Sequence, residues 1–313
     1  MLKGDHHTMV TRREAIGLLG SMSATLFAAA RSGPSSLLSL DSGITRYQGD
    51  PTPRLAPGTP FSPQRMALID AFKKESEAVV SKFEARTNRS DWVMPYRLFR
   101  PDASGPLPLV LYLHGSGGMG DDNLRQIGLG NIFGARVWAL PGNQKKFPCY
   151  IVAPQTDRGW VRYGAPPPGD SMATIVPGLG DGARLALEIV DALCGEFPID
   201  RRRIYVTGQS MGGGGVWHMT SQRKDFFAAA VPCCGSSTED VAVDSAGTPL
   251  WNFHGDADHV VPVTVSGDRI AALVIAGKHP LHTEYHGVGH NVWEWAYTEP
   301  ELVRWVFSKR RDV

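Results

Sequence analysis

A serine, a pair of aspartates and a histidine, far apart in the chain, have the types and the order that nucleophilic catalysis needs. Ser210 stands in Gly208-Gln209-Ser210-Met211-Gly212, a G-x-S-x-G pattern that means little alone but here follows an apolar run and precedes a helical one. On such a strand-to-helix bend a serine hydroxyl is pushed out to solvent, and glycines two residues to either side let neighbouring backbone come close. Gly213 has a place in helix–strand packing, whereas Gly214 and Gly215 find no role in this argument. A serine hydroxyl needs a base to take its proton, and the base needs a third group to fix its tautomer. "LWNFHGDADHVVP" offers Asp256 and Asp258 just past an apolar run, and "EYHGVGHNVWEWAY" offers His290 in a glycine-flanked loop past the last one.

His254 and His286 compete for the base. His254 lies at the end of its strand and reads as a structural hydrogen-bonder; His286 ends the last strand and should point into the sheet region. His290 lies beyond the turn made by Gly287 and Gly289, where it can lean back towards Ser210. Charge that develops on a carbonyl oxygen needs preorganised N–H donors. The backbone amides of Ser116, in "LYLHGSGGMGDDN", and of Met211 are the candidates.

Such residues must be positioned by a regular frame. "AVVSKFEART" and "WVMPYRLFRP" flank Asn88-Arg89-Ser90 as a hairpin, and "PLVLYLHG" is the continuous apolar run of a doubly covered strand. "CYIVAP", "IYVTG", "FAAAVPCCG", "LWNFHG" and the weaker "HTEYHG" follow, with helical periodicity in "GARLALEIVDALCGEF", "VSGDRIAALVIAG" and "WEWAYTEPELVRWVF". The alternation predicts an α/β fold: a mostly parallel central sheet with an N-terminal antiparallel hairpin and helices on both faces.

"YRLFRP", "LYLHGSGGMGDDN", "RIYVTGQSMGGGGVW", "HGDADHVVPV" and "GHNVWEWAY" together resemble the α/β-hydrolase superfamily, in particular exported esterases of the phospholipase/carboxylesterase and "predicted peptidase" type. These are similar to polyhydroxybutyrate depolymerases and to feruloyl and acetylxylan esterases. The resemblance covers roughly residues 79–307 and implies a serine hydrolase with a Ser210–His290–Asp258 triad. It takes the second aspartate of "GDAD" as the acid and leaves Asp256 to brace the loop. Relatives often carry a charged pair where this chain has Gly118-Met119; "GDDN" is retained, with Asp121–Asn123 read as structural. The implied reaction is cleavage of small-molecule or oligomeric carboxylic esters through an acyl-enzyme. A serine peptidase acting on small peptides and a polyester or feruloyl esterase are the alternatives, and a non-catalytic hydrolase-fold binding protein is a rival of another class. No feature asks for a cofactor. Trp160, Trp217 and Trp293 are candidates for the substrate pocket, with Trp295 nearby in sequence, and "RGWVRYGAPPPGDSMATIVPG" for a substrate-side loop.

Two further rivals use the same stretches. "GLGDGA", residues 178–183, matches a dinucleotide fingerprint, but its acid, Asp200, precedes a strand instead of ending one. His254, Asp256, Asp258 and His259 have the types of a zinc site, yet the triad order explains them with fewer coincidences; no metal is expected.

The 313 residues are 42% hydrophobic and 20% charged, enough for one large domain, and the net charge of +1 leaves no excess of Lys and Arg for nucleic acid. Arg201-Arg202-Arg203 reads as a solvated strand entry. Arg12-Arg13 before the short apolar segment 15–30 resembles a twin-arginine export signal, too short and interrupted for a stable membrane span. The expected organisation is a signal over 1–31, a flexible linker over 32–62 and a catalytic domain over 63–313, in a periplasmic or secreted protein. Pairing among Cys149, Cys194, Cys233 and Cys234 cannot be read from sequence, and neither can the oligomeric state.

Overall fold

Every residue from Leu107 to Leu113 is buried, a pattern that requires cover on both faces of a sheet. The structure, a computed structural model, describes residues 38–41, 44–48, 61–164 and 175–312. Its strands are β1 (Leu38–Asp41), β2 (Ile44–Gln48), β3 (Phe83–Arg89), β4 (Val93–Phe99), β5 (Leu107–Leu113), β6 (Tyr150–Pro154), β7 (Val161–Tyr163), β8 (Ile175–Leu179), β9 (Ile199–Gln209), β10 (Ala229–Cys233), β11 (Trp251–Gly255) and β12 (Leu281–Tyr285). The α-helices are α1 (Pro63–Glu77), α2 (Ile132–Arg136), α3 (Pro141–Lys146), α4 (Asp181–Glu196), α5 (Met211–Gln222), α6 (Glu239–Asp244), α7 (Val263–Ile275), α8 (Trp293–Ala296) and α9 (Leu302–Phe307).

Ten strands form one sheet in the order β1-β2-β12-β11-β10-β9-β5-β6-β4-β3. From β12 to β6 all neighbours are parallel, and the β3–β4 hairpin continues the sheet antiparallel beyond β6. This is the sheet that the alternation of apolar runs predicts. Side chains alternate across β5 as the period of two demands. Val110 and Tyr112 pack with Ile69 and Phe72 of α1, Phe133 of α2, Trp295 of α8 and Leu302 of α9. Leu109, Leu111 and Leu113 pack with Leu185 and Ile189 of α4, Val216 and Trp217 of α5, and Ile270 of α7. Full burial of each such side chain is worth roughly 1.5–3 kcal/mol, so the two layers hold the strand ends in fixed register.

Four features differ from, or add to, the sequence expectation. Helix α1 adds to the predicted frame, and its start carries a legible signal. Ser62 caps it by accepting from the Arg65 N–H at 3.2 Å, and Pro63 occupies the first turn, where its missing N–H costs nothing. Within the 32–62 stretch read as a linker, residues 38–41 and 44–48 are paired strands, with β2 antiparallel to β12. "WEWAYTEPELVRWVF" forms two short helices, α8 and α9, because Pro300 between them cannot continue a helix. The stretch read as a substrate-side loop begins and ends in a separate antiparallel pair, β7 with β8.

The twin-arginine segment, the rest of 32–62 and residues 165–174 of that loop lie outside the described residues. Among the described residues no helix is long and apolar enough to cross a membrane. All four cysteines are free thiols; Cys149, Cys233 and Cys234 are buried.

Candidate active site

Strand β9 ends at Gln209 and α5 begins at Met211, so Ser210 alone makes the bend, at φ 53° and ψ −120°. A non-glycine residue held there costs about 1–3 kcal/mol and persists only where its surroundings over-determine it. They do: the Ser210 N–H donates to the Cys233 carbonyl at 2.9 Å, and the Ser210 carbonyl accepts from the Gly214 N–H at 3.0 Å. The glycines after it have separate steric reasons. A Cβ on Gly212 would fall inside contact with the Leu113 carbonyl. One on Gly214 would lie 2.8 Å from the Ser236 carbonyl oxygen, and one on Gly215 2.6 Å from the Trp160 Cβ. Gly214 and Gly215, without a role in the sequence argument, thus let α5 settle against the chain beyond β10 and against a buried tryptophan.

Because β9, β11 and β12 run parallel, the loops that follow them emerge at one edge. There the Ser210 Oγ lies 2.8 Å from His290 Nε2, and His290 Nδ1 lies 2.7 Å from Asp258 Oδ2. With Nδ1–H donating to the carboxylate, Nε2 is left as the acceptor for the serine hydroxyl. Asp258 Oδ1 accepts from the N–H groups of Val260 and Val261 at 2.8 and 2.9 Å. His254 Nε2 lies 3.2 Å from Asp258 Oδ2, and the Asp258 side chain is 0% exposed. Burial alone would raise the Asp258 pKa. The bonds from His254, from His290 and from the two amides outweigh it and hold the carboxyl well below its ordinary range. Asp258 is therefore a fixed anion beside the imidazole.

The other candidates fall in different places. Asp256 braces the turn after β12, with Oδ2 2.7 Å from His286 Nδ1 and Oδ1 accepting from the Gly287 N–H at 2.7 Å. His286 does not point into the sheet: its side chain is 61% exposed, because Asp256 holds it outside. His254 is fully buried, with Nδ1 2.7 Å from the Ser266 Oγ and Nε2 2.9 Å from the Val261 carbonyl oxygen. The four residues weighed as a zinc set do not converge, since Asp256 turns to His286 and His259 is exposed.

The two amides expected to hold an oxyanion belong to the first residue of α5 and to the loop that follows β5. Met211 is the first residue of α5, where an N–H has no intrahelical acceptor. Gly115 lies against the bend, a Cβ there being 3.5 Å from the Ser210 Cβ, and Ser116 follows it. Side chains that sequence reasoning missed set the direction of this loop. The Gly115 N–H donates to Asn131 Oδ1 at 2.9 Å, and the Trp160 Nε1–H donates to the His114 carbonyl at 2.9 Å. The Thr156 N–H donates to His114 Nε2 at 3.1 Å, so Nδ1 carries the ring proton and donates to the Gly115 carbonyl at 2.7 Å. In a trans peptide the N–H points opposite to the preceding C=O, so the Ser116 amide faces away from the His114 ring. Burial lowers the His114 pKa to about 4, only partly offset by the bond to Gly115, so the ring stays neutral. The Tyr112 hydroxyl, 2.9 Å from Gln209 Oε1 and 3.1 Å from Asn131 Oδ1, links the loop to the elbow. "HG" after an apolar run was a visible cue to His114; nothing local marks Asn131.

The tryptophan expectation divides. Trp160 and Trp217 are 0% and 1% exposed and belong to the core, as does Trp295 at 4%; they cannot line an open pocket. Trp293 is half-buried, with its ring 5.4 Å from that of His290 and nearly perpendicular to it. The dinucleotide fingerprint also fails structurally. Among the described residues β8 pairs only with β7, and a Cβ on Gly182 would strike the Gly159 carbonyl, so the helix start is packed against backbone. Asp122, in the retained "GDDN", accepts from the N–H groups of Leu124 and Arg125 at 2.8 and 3.1 Å, bonds that shape this loop.

The solved structure of a thermostable esterase superposes with a TM-score of 0.69 at 32% identity, over 75% of this chain and 64% of that one. The chain has the α/β-hydrolase fold. Among curated proteins, it is 28% identical over 244 residues to NocK of Nocardia uniformis subsp. tsuyamanensis, a proposed esterase. That match takes in 74% of this chain and 64% of NocK. Over 74 residues, 24% of the chain, it is 34% identical to the bifunctional acetylxylan esterase/xylanase XynS20E of Neocallimastix patriciarum. The chain spans 11% of the length of XynS20E and 64% of that of NocK and of the thermostable esterase. No protein-family model matches the chain.

Proposed function

We propose that this protein cleaves carboxylic esters through an acyl-enzyme formed on Ser210. The observation that carries the reading is the unbroken line from the Ser210 Oγ through His290 to the buried Asp258 carboxylate, at 2.8 and 2.7 Å. Ser210 attacks the ester carbonyl while His290 Nε2 takes its proton. Asp258 keeps Nδ1 protonated and stabilises the imidazolium that forms. The amides of Met211 and Ser116 receive the developing oxyanion. His290 then returns the proton to the leaving alkoxide, and a water molecule, activated by the same imidazole, releases the acid. The likeness to a thermostable esterase at 32% identity supports an ester as substrate. An alkoxide also leaves with less protonation help than an amine, which favours ester over peptide. The substrate class is a small-molecule or oligomeric ester. The paired arginines Arg12-Arg13 before an apolar segment support export to the periplasm or medium by the twin-arginine route.

The test is hydrolysis of p-nitrophenyl esters of rising chain length, methyl ferulate and a peptide anilide, with wild type and Ser210→Ala side by side. Ser210→Ala is expected to lower kcat by roughly 10^4–10^6-fold and to abolish labelling by a fluorophosphonate. Undiminished ester turnover in that variant overturns the mechanism, and a preference for the anilide overturns the substrate class. Cell fractionation with and without Arg12→Lys/Arg13→Lys tests export.

A further inference from the structure

Cys234 follows β10 and has no part in the acyl-transfer steps. It is fully buried and held at φ 41°, the left-handed region that a residue with a Cβ seldom occupies. Its N–H donates to the Phe253 carbonyl at 2.8 Å, and its thiol donates to the His290 carbonyl at 3.5 Å. These contacts bring the sulfur up to the imidazole–carboxylate pair. The Cys234 Sγ, a ring nitrogen of His290 and a carboxylate oxygen of Asp258 all lie within 4.8 Å of one another. Among the described residues, no other three or more His, Cys, Asp or Glu side chains come together in this way.

The donor types select the ligand. One sulfur, one imidazole nitrogen and one carboxylate oxygen suit a borderline or soft divalent cation, whereas calcium and magnesium demand oxygen. Metal–ligand bonds of about 2.0–2.3 Å put ligands on one zinc on the order of 3–4 Å apart. The cluster needs adjustments of about an ångström to reach that spacing.

We propose that Cys234, His290 and Asp258 form a binding site for a thiophilic divalent cation such as Zn2+ or Cd2+, and that its occupation switches hydrolysis off. The cation takes the place of the proton between His290 Nδ1 and Asp258 Oδ2, while the Cys234 thiol loses its proton to water. The ring proton moves to Nε2, so one proton is released per cation. Thiolate and carboxylate then balance the two positive charges. An imidazole protonated on Nε2 faces the Ser210 hydroxyl as a donor and can no longer accept its proton. The effect on turnover rests on the proposed role of His290 as base; the binding itself does not.

The full chain is titrated with Cd2+ and with Zn2+ while two signals are followed: the ultraviolet charge-transfer band of a cadmium thiolate, and ester hydrolysis relative to each variant's own metal-free rate. Wild type should show the band and lose hydrolysis together at one equivalent, with a chelator restoring both. Cys234→Ser keeps a hydroxyl for the His290 carbonyl but offers a poor ligand to these ions. It should lose the band and need at least about tenfold more metal for the same inhibition. Cys233→Ser, which alters the neighbouring thiol, should keep the wild-type response. Inhibition of Cys234→Ser at the wild-type metal concentration, or an unchanged band, overturns the site. Should that variant not fold, Cys234→Ala is read in the same way. If the chain hydrolyses no ester, the functional reading falls, and the cadmium band still decides the site.

Discussion

His254 and His290 share one carboxylate oxygen: Oδ2 of Asp258 lies 3.2 Å from His254 Nε2 and 2.7 Å from His290 Nδ1. His254 Nε2 is also 2.9 Å from the Val261 carbonyl oxygen, so that nitrogen carries the proton and His254 is a donor to Asp258. The buried anion is thus held by four N–H groups, only one of which belongs to the proposed base. His254→Ala leaves the carboxylate one donor short, a loss of about 1–3 kcal/mol. The expected result is a kcat on the order of 10–100-fold lower with little change in KM, and a lower denaturant midpoint. Steady-state kinetics on one ester together with urea unfolding check both.

Trp293 and the two core tryptophans should respond differently. Trp293, half-buried beside the His290 ring, is expected to set kcat/KM for the acyl group, and Trp293→Ala should change the ratio between short and aromatic esters by about tenfold. Trp160 and Trp217 are buried, and truncation to alanine should instead cost roughly 3–5 kcal/mol of stability. Parallel ester series and unfolding curves separate the two effects.

Gly215 and Gly117 make a matched pair. A Cβ at Gly215 meets the Trp160 Cβ at 2.6 Å, whereas one at Gly117 meets nothing within 4 Å. Gly215→Ala should destabilise by roughly 1–3 kcal/mol through overpacking, against the helix propensity it gains. Gly117→Ala should stay within about 0.5 kcal/mol of wild type. Thermal unfolding of both variants is the measurement.

Acid should act through His114. Burial lowers its pKa from 6.5 to about 4 in the folded protein. Between those values the unfolded chain binds a proton that the folded chain does not. The contribution is therefore complete above about pH 6.5 and is lost as pH falls towards 4, up to about 3 kcal/mol in total. Unfolding free energy followed over this window should fall less steeply in His114→Asn than in wild type.

The sequence was sufficient for the strand and helix frame because period and punctuation are local. The apolar run of Leu107–Leu113 has one packing solution, and the glycines at 208 and 212 mark a tight bend wherever it sits. Chain order was enough to nominate Ser210 and His290, and the family resemblance chose Asp258. Helix α1 carried a readable cap, Ser62 before Pro63, but its buried face is Arg65, Ile69, Phe72 and Ser76, so a charged and a polar residue interrupt the apolar stripe by which a helix is read.

Other assignments depend on partners distant in sequence, and these only the fold could decide. By geometry, Asp258 rather than Asp256 faces the imidazole, because Asp256 is taken by His286 and Gly287. Trp160 and Trp217 proved to be core and Trp293 not, since exposure is a property of the packed layers. Gly214 and Gly215 acquired reasons only when Ser236 and Trp160 came against α5. The same holds for Asn131 and Cys234, whose neighbours Gly115 and His290 are 16 and 56 residues away. A local pattern records which backbone a segment can adopt; which side chains then touch is settled by burying both faces of one sheet at once.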